Sequence, residues 1–369
     1  MKVCIITPTR NAFTARVFYT EAKTLAKHYD VSIIAQNSKD ETRDKIKVLS
    51  LKKPKNRFFR FFFSTSKAFN LARKEKADVY HIHDPEIIPL ALLLKLVTRA
   101  KIIYDAHENY ERKILNRGWI PKLLRKPVSF IFSLFERFSS RFFDYIFVAD
   151  NLGFEKFKRI NKNVEFIGNF PLLLKVNTIR RRGTKIKCVY AGTLSRDRGL
   201  YKMVEAMKHV KSNVELWIVG KFENWKDKEI IKNNKKITYL GEKPWPEVFD
   251  VLAECDIGLN LLQPVPAYID SAENTTKIFE YMATELPVIS SNFPGLRKII
   301  EKNKAGICVA PENIKEIAKA IIYLAENKNL RGKMGKNGKK LVLKKYNWVN
   351  EGKKLLNVYK NLEKCQKFQ

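Results

Sequence analysis

Short apolar runs alternate with amphipathic stretches from one end of the chain to the other. The runs Val3–Thr7, Val31–Ala35, Lys47–Leu51, Val79–His83, Lys101–Asp105, Tyr145–Ala149 and Glu165–Ile167 predict strands. After a polar, basic stretch the pattern resumes with Lys187–Ala191, Glu215–Val219, Ile237–Leu240, Ile257–Leu261, Val288–Ser290 and Gly306–Val309. Apolar residues at helical spacing predict helices at Ala15–Lys27, Thr65–Lys76, Glu86–Thr98, Leu200–Lys208, Pro246–Ala253, Thr276–Thr284 and Ile314–Glu326. Strands that alternate with helices imply parallel sheets joined by right-handed crossovers.

The pattern restarts once. From Asn169 to Lys187 it has no strong period, and residues 171–185 read as a linker. The expected organisation is a Rossmann-like first domain over 1–170 and a Rossmann-like second domain over 171–345. Two doubly wound domains of this kind hold a ligand between them, at the carboxyl ends of their strands. One large α/β domain is the alternative. The last segment, Tyr346–Lys364, carries apolar residues at helical spacing, so 346–369 reads as a C-terminal helix.

Composition narrows the picture in three ways. The five cysteines (Cys4, Cys188, Cys255, Cys308 and Cys365) are scattered, with no C-x-x-C pair, which fits a reduced, cytoplasmic protein using thiols as small apolar fillers. The opening run after Met1 is too short for a secretory leader, and no apolar run approaches the roughly 20 residues that span a bilayer. The formal net charge is +33, and residues 1–170 carry about half of it, so the charge is spread and attracts polyanions generally.

Four strings carry candidate chemistry. In Ala77–Lys95, His81 and His83 share one face of a strand, a geometry that suits zinc. Only Asp84 stands near enough in sequence to be a third ligand, and Asp84-Pro85 reads as a helix start, so no metal site is expected. In Lys101–Tyr110 a strand ends in Asp105, His107 and Glu108. In Cys188–Met207 a strand, a turn at Gly192 and a basic loop lead into a helix. There Arg196 and Arg198 beside a helix N-terminus suit a diphosphate. In Ala272–Pro287 a polar loop precedes a helix bearing Lys277 and Glu280. The first strand-helix turn lacks the G-x-G-x-x-G of dinucleotide binders.

These strings together resemble the retaining glycosyltransferases of the GT-B fold, group 1 or family 4, in the subgroup that serves polysaccharide biosynthesis. Thr-Lys-x-Phe-Glu-Tyr-Met-Ala at 276–283, His-x-His-Asp-Pro at 81–85 and Tyr-Asp-x-His-Glu at 104–108 are similar to segments of that subgroup. So is the helix start with Ala15-Arg16-Val17-Phe18 and Glu21-Ala22-Lys23, although the subgroup's Asp is replaced there. The resemblance implies two Rossmann-like domains facing a central cleft, with the first binding the acceptor and the second the nucleotide sugar. It further implies a C-terminal helix that crosses back to the first domain. The implied reaction is transfer of a hexosyl-type group from a nucleoside diphosphate sugar to an acceptor hydroxyl with retention, and the expected acceptor is a lipid-linked or surface glycan.

By the same resemblance His107 contacts the donor sugar, Arg198 holds the diphosphate with Gly192, Arg196 and Lys277 beside it, and Glu280 meets the ribose. The family's first glutamate falls at Ala272, so Glu273, one place on, is the candidate to replace it, with Asp270 two places off. Arg16, His83, Asp105 and Glu108 are further cleft candidates. No cofactor and no metal are expected, since no Asp-x-Asp is present. A nucleotide-sugar epimerase of similar architecture and an inactive membrane-associated scaffold are the alternatives.

Lys52–Lys76 holds nine Lys and Arg against one acidic residue, with five Phe between Phe58 and Phe63, and Lys126–Phe147 repeats the mixture. Basic residues beside large rings fit an anionic membrane surface, so peripheral attachment to the inner face of the cell membrane is expected. Nucleic acid is not an expected partner.

Overall fold

The structure, a computed structural model, describes residues 1–54, 56, 63–174, 185–210, 213–232, 234–269 and 272–367. The predicted linker at 171–185 and the Phe cluster at 58–63 therefore fall largely outside the described residues, as does Asp270. The backbone divides into two units, Met1–Asn169 with Trp348–Gln369, and Phe170–Asn347.

The first unit is built on eight strands: β1 (Lys2–Asn11), β2 (Asp30–Gln36), β3 (Glu41–Arg43), β4 (Ile46–Leu51), β5 (Val79–Ile82), β6 (Lys101–Ala106), β7 (Tyr145–Val148) and β8 (Val164–Phe166). Their order is β3-β4-β2-β1-β5-β6-β7-β8, and every pair is parallel except β3 with β4. Val3, Cys4, Ile5 and Ile6 of β1 are all fully buried, as a central parallel strand covered on both faces requires. The short β3 was not legible as a strand because its residues are all polar. It turns back through Asp44 and Lys45, both with positive φ, the conformation of a tight two-residue hairpin.

The C-terminal helix Trp348–Lys367 belongs to this first unit. Its inner stripe, Glu351, Leu355, Val358, Tyr359 and Leu362, repeats at helical spacing and is buried. Polar bonds fix it in place. Trp348 Nε1 donates to Thr24 Oγ1 (2.8 Å), and Glu351 Oε2 accepts from the Gly168 amide (2.7 Å).

The second unit holds β9 (Ile186–Ala191), β10 (Val214–Val219), β11 (Ile237–Tyr239), β12 (Ile257–Asn260), β13 (Val288–Ser291) and β14 (Gly306–Val309), all parallel, in the order β11-β10-β9-β12-β13-β14. Counted within the unit, that order is 3-2-1-4-5-6, the order of a dinucleotide-binding sheet. Its strand order reverses between β9 and β12, and such a reversal opens a crevice at the carboxyl ends of the strands. The first unit reverses in the same way between β1 and β5. β5, which leads into His83, borders the first reversal, and β9, which leads into Gly192, borders the second.

Among the described residues no helix is long and apolar enough to cross a membrane. Cys4, Cys188 and Cys255 are buried and free, and burial pushes the Cys4 thiol up to about 12, consistent with packing rather than reactivity.

Candidate active site

The carboxyl end of the first sheet holds a closed network of charged groups. The expected helix at Ala15–Lys27 begins as a π-helical stretch, Ala15–Ala22, before a short α-turn at Lys23–Leu25. Its widened turns include a bond from the Tyr19 amide to the Thr14 carbonyl, five residues back. In an α-helix residues five apart diverge by about 140°. Here Arg16 and Glu21 face the same way, with Arg16 Nε 3.0 Å from Glu21 Oε1.

Arg16 also grips Asp105 at the end of β6 with two bonds, Nε to Oδ2 (2.7 Å) and Nη2 to Oδ1 (3.0 Å). Its remaining nitrogen, Nη1, donates to Asn169 Oδ1 (2.6 Å) and the Ile167 carbonyl (3.2 Å). The guanidinium is thus committed inside the unit rather than open to a phosphate.

His83 lies between the two acids, with Nε2 3.0 Å from Glu21 Oε2 and Nδ1 3.2 Å from Asp105 Oδ2. The His81 and His83 rings stack 4.7 Å apart, and the Tyr359 hydroxyl of the C-terminal helix lies 3.0 Å from His81 Nδ1. Two carboxylates face one guanidinium, so one further proton balances the group, and Glu21 and His83 share it. Burial pushes the Glu21 carboxyl up. Burial works against the His83 cation too, but Glu21 and Asp105 outweigh it and raise that pKa. Burial opposes the Asp105 charge as well, yet Arg16, His107 and His83 hold its pKa well below the ordinary carboxylate range.

Glu21, His81, His83 and Asp105 carry ligand-type atoms within 4.8 Å of one another. Arg16 already supplies the cation that these carboxylates require. Asp84, the acid nearest in sequence to the histidine pair, points elsewhere and accepts from Thr7 Oγ1 (3.0 Å) and Thr9 Oγ1 (2.7 Å). It sits at the start of the Pro85–Ile87 turn without capping it by its side chain.

His107 stands at the edge of this network. Its Nδ1 is 3.3 Å from Asp105 Oδ1 and 3.2 Å from the Asp105 carbonyl, and its Nε2 has no hydrogen-bond partner among the described residues. Burial draws its pKa below the usual value despite Asp105, so the neutral ring holds its proton on Nδ1 and offers a lone pair at Nε2. Glu108 is partly exposed and ion-paired with Arg10 (3.1 Å) and Lys113.

The second unit brings another set together. Where β9 and β12 part, the ladder leaves the Ala191 amide and the Leu259 carbonyl without strand partners. The Tyr281 hydroxyl bridges them, accepting from Ala191 N (2.9 Å) and donating to Leu259 O (3.3 Å). The ring passes so close to β12 that a Cβ at Gly258 would lie 2.4 Å from Tyr281 Cδ2. Tyr281 belongs to the helix Thr276–Ala283, and this pin fixes Lys277 and Glu280, one turn and one residue earlier.

Lys277 is buried, with Nζ 3.8 Å from the centre of the Tyr190 ring and no hydrogen-bond partner among the described residues. It faces Gly192, whose φ of +138° favours glycine and where a Cβ would lie 3.2 Å from Nζ. Burial draws the Lys277 pKa well below that of a free lysine, and Arg198 adds to the effect. Arg198 lies against Tyr190 and 5.7 Å over Tyr268. Glu280 is buried as well, its Oε1 held by Trp245 Nε1 (2.7 Å), and burial pushes its pKa up.

Gly192, Arg198, Lys277 and Glu280 are therefore gathered around Tyr190, Trp245 and the helix Thr276–Ala283. Arg196 is not; it is exposed and stacks 4.7 Å over Tyr201. Glu273 lies on a short turn, Ala272–Asn274, against Gly295 in the first turn of the helix Pro294–Ile300. Sequence reasoning missed Glu21, Tyr359, Tyr190, Tyr268 and Trp245 as site residues, because each also meets a partner distant in the chain. Only Glu21 left a signal, in the Glu21-Ala22-Lys23 string.

Residues 175–341 match the family model described as glycosyl transferases group 1, and residues 14–159 match that described as glycosyltransferase family 4. The chain is 26% identical over 175 residues to an uncharacterized glycosyltransferase, MJ1178, of Methanocaldococcus jannaschii, covering 47% of this chain and 48% of that protein. It is 24% identical over 203 residues to the capsular polysaccharide biosynthesis glycosyltransferase CapM of Staphylococcus aureus, covering 54% and 49%. The chain thus spans about half the length of these relatives. Among solved structures, the sucrose-phosphate synthase of Thermosynechococcus elongatus superposes with a TM-score of 0.79 at 16% identity, covering 99% of both chains. Anabaena HepE in complex with UDP-glucose superposes with a TM-score of 0.72 at 14% identity, covering 98% of this chain and all of that one.

Proposed function

The chain belongs to the group 1, or family 4, glycosyltransferases of the GT-B fold, and from that premise we propose that it transfers a sugar from a nucleoside diphosphate sugar to an acceptor hydroxyl, with retention at the anomeric carbon. The observation that carries the donor reading is Lys277. A buried lysine amine with no hydrogen-bond acceptor among the described residues is a costly group to keep, and here it stands beside a cation, Arg198, at the carboxyl end of a dinucleotide-type sheet. A diphosphate supplies the negative charge that the pair lacks and the acceptor oxygens that Lys277 lacks.

In this reading Arg198 and Lys277 hold the diphosphate and stabilise it as it leaves. The N-terminus of the helix Leu200–Lys208 adds its partial positive charge. Glu280, oriented by Trp245, takes a ribose hydroxyl. His107 offers its open Nε2 to a sugar hydroxyl, and Asp105 fixes its tautomer. Glu273 is proposed in place of the family's first glutamate. Arg196, stacked on Tyr201, is assigned at most an outer contact with the donor. Solved relatives of this fold crystallised with UDP and with UDP-glucose support a nucleotide-sugar donor. Neither a metal nor a further cofactor enters these steps. The acceptor is proposed to be a lipid-linked or surface glycan, by likeness to CapM.

Replacing Arg198 by Ala is expected to lower kcat/KM for the donor by about 10²-fold, the usual loss when one charge-stabilising donor is removed. Steady-state rates with UDP- and GDP-sugars check this, and unchanged rates remove Arg198 from the site.

A further inference from the structure

The helix Lys122–Ser139 is amphipathic the wrong way round for a helix on the surface of a soluble protein. Its inward stripe is Ser129, Ser133, Glu136 and Ser139. These are small or polar, and three of them make polar bonds. Ser129 Oγ donates to the Glu111 carbonyl (2.8 Å), and Ser133 Oγ to Glu111 Oε2 (2.9 Å). Glu136 accepts from the Tyr104 hydroxyl (2.8 Å) and Lys156 Nζ (2.8 Å).

The outward stripe is apolar. Leu123 is 91% exposed, Phe130 and Ile131 each 64%, Phe138 56% and Leu134 52%. These five positions fall on one side of the helix at i, i+4 and i+7 spacing. Apolar exposure continues onto the neighbouring helix Ile88–Thr98, where Leu96 is 79% exposed; Lys95 Nζ ties that helix to the Phe142 carbonyl (2.7 Å). A continuous patch of large apolar side chains in water marks a surface that is covered in use.

The charges around the patch indicate what covers it. Lys122, Lys126, Arg137 and Arg141 are exposed along the helix and the turn that follows it. The one acid on the helix, Glu136, is turned inward and matched by Lys156. Trp119, a residue suited to the boundary between water and acyl chains, is exposed just before the helix. An apolar stripe whose exposed charged neighbours along the helix and the turn after it are cations, on a chain of net charge +33, complements an anionic lipid surface. We infer that this face of the first unit docks on an anionic bilayer, the helix lying in the plane of the membrane with Leu123, Phe130, Ile131, Leu134 and Phe138 inserted. The inference uses no donor-site residue, and it bears on the acceptor reading above by bringing the first unit to where a lipid-linked glycan resides.

Flotation of the full chain with phosphatidylglycerol-containing vesicles and with phosphatidylcholine vesicles, at low and high salt, tests it. The expected result is binding to the anionic vesicles that weakens with salt. The combined variant Phe130→Ser, Ile131→Ser, Leu134→Ser and Phe138→Ser, all at exposed positions, is expected to bind at least tenfold less. Amide-exchange protection of β5 and β6 in the same variant is expected to equal that of the parent, which shows that the first unit is folded. The inference is overturned if the parent fails to float with anionic vesicles at low salt. It is equally overturned if the variant floats as well as the parent, or if the face instead joins two copies of the chain into a dimer that the variant abolishes. Loss of nucleotide binding by the parent with vesicle binding intact would count against the donor reading alone.

Discussion

Replacing Lys277 by Met is expected to lower kcat/KM by about 10²- to 10³-fold while leaving the thermal midpoint unchanged or raised. The two halves of this result come from one feature. Nζ is buried without a hydrogen-bond acceptor among the described residues, so the fold holds an amine whose charged form it solvates poorly. Methionine fills nearly the same volume beside Tyr190 and removes that penalty. The sign of the pH effect follows. Burial sets the folded pKa of Lys277 well below its unfolded value, so the unfolded chain binds more protons between the two. The penalty is fully present below the folded pKa and is relieved as pH rises toward the unfolded one. Stability of the parent should therefore rise with pH across that window, and the Met variant should lose this contribution. A residue kept only for packing would show the reverse pattern, with lost stability and unchanged turnover. Thermal melts at several pH values, paired with donor kinetics, separate the two.

Replacing Arg16 by Met should act on the other unit and on stability. It leaves Asp105 and Glu21 buried with no cation beyond their histidines, and breaking a buried pair by removing one partner typically costs about 3–5 kcal/mol. The loss should appear as faster hydrogen exchange at β5 and β6, the strands whose carboxyl ends the network joins through His83 and Asp105. His107 should suffer with it, because Asp105 is clamped by Arg16 before it can orient the imidazole. Protection equal to the parent's at both strands would show that the network carries little of the unit's stability.

Much of the fold could be read from local pattern. Parallel strands buried on both faces are short apolar runs, and they stood out between polar turns. β3 did not, because Glu41, Thr42 and Arg43 carry no alternation and the strand exists only through its pairing with β4. The π-helical start at Ala15 was also hidden, since its spacing serves a long-range contact between Arg16, Glu21 and Asp105 rather than an apolar stripe. In the second unit Lys277 and Glu280 were visible because one helix carries both within a single string. Their neighbours Tyr190, Tyr268 and Trp245 were not, since each arrives on a separate element and shows no mark of its role in its own surroundings. Arg196 and Arg198, two residues apart, were equivalent on paper; the turn before the helix Leu200–Lys208 sends one to Tyr201 and the other to Tyr190 and Tyr268. The basic, Phe-rich composition of the segment at 126–147 was legible in the sequence. That its inward stripe is the polar one emerges only once the helix is packed.

The central claim is that the second unit holds a diphosphate between Arg198 and Lys277. Calorimetric titration of the full chain with UDP and with GDP, at mildly alkaline pH and in two buffers of different ionisation enthalpy, tests it directly. A bound diphosphate restores the charge on Lys277, so one of the two nucleotides should bind with net uptake of a proton, and the uptake should vanish in Lys277→Met. If neither nucleotide binds, or if one binds with no proton taken up and equally well to the variant, the claim is wrong.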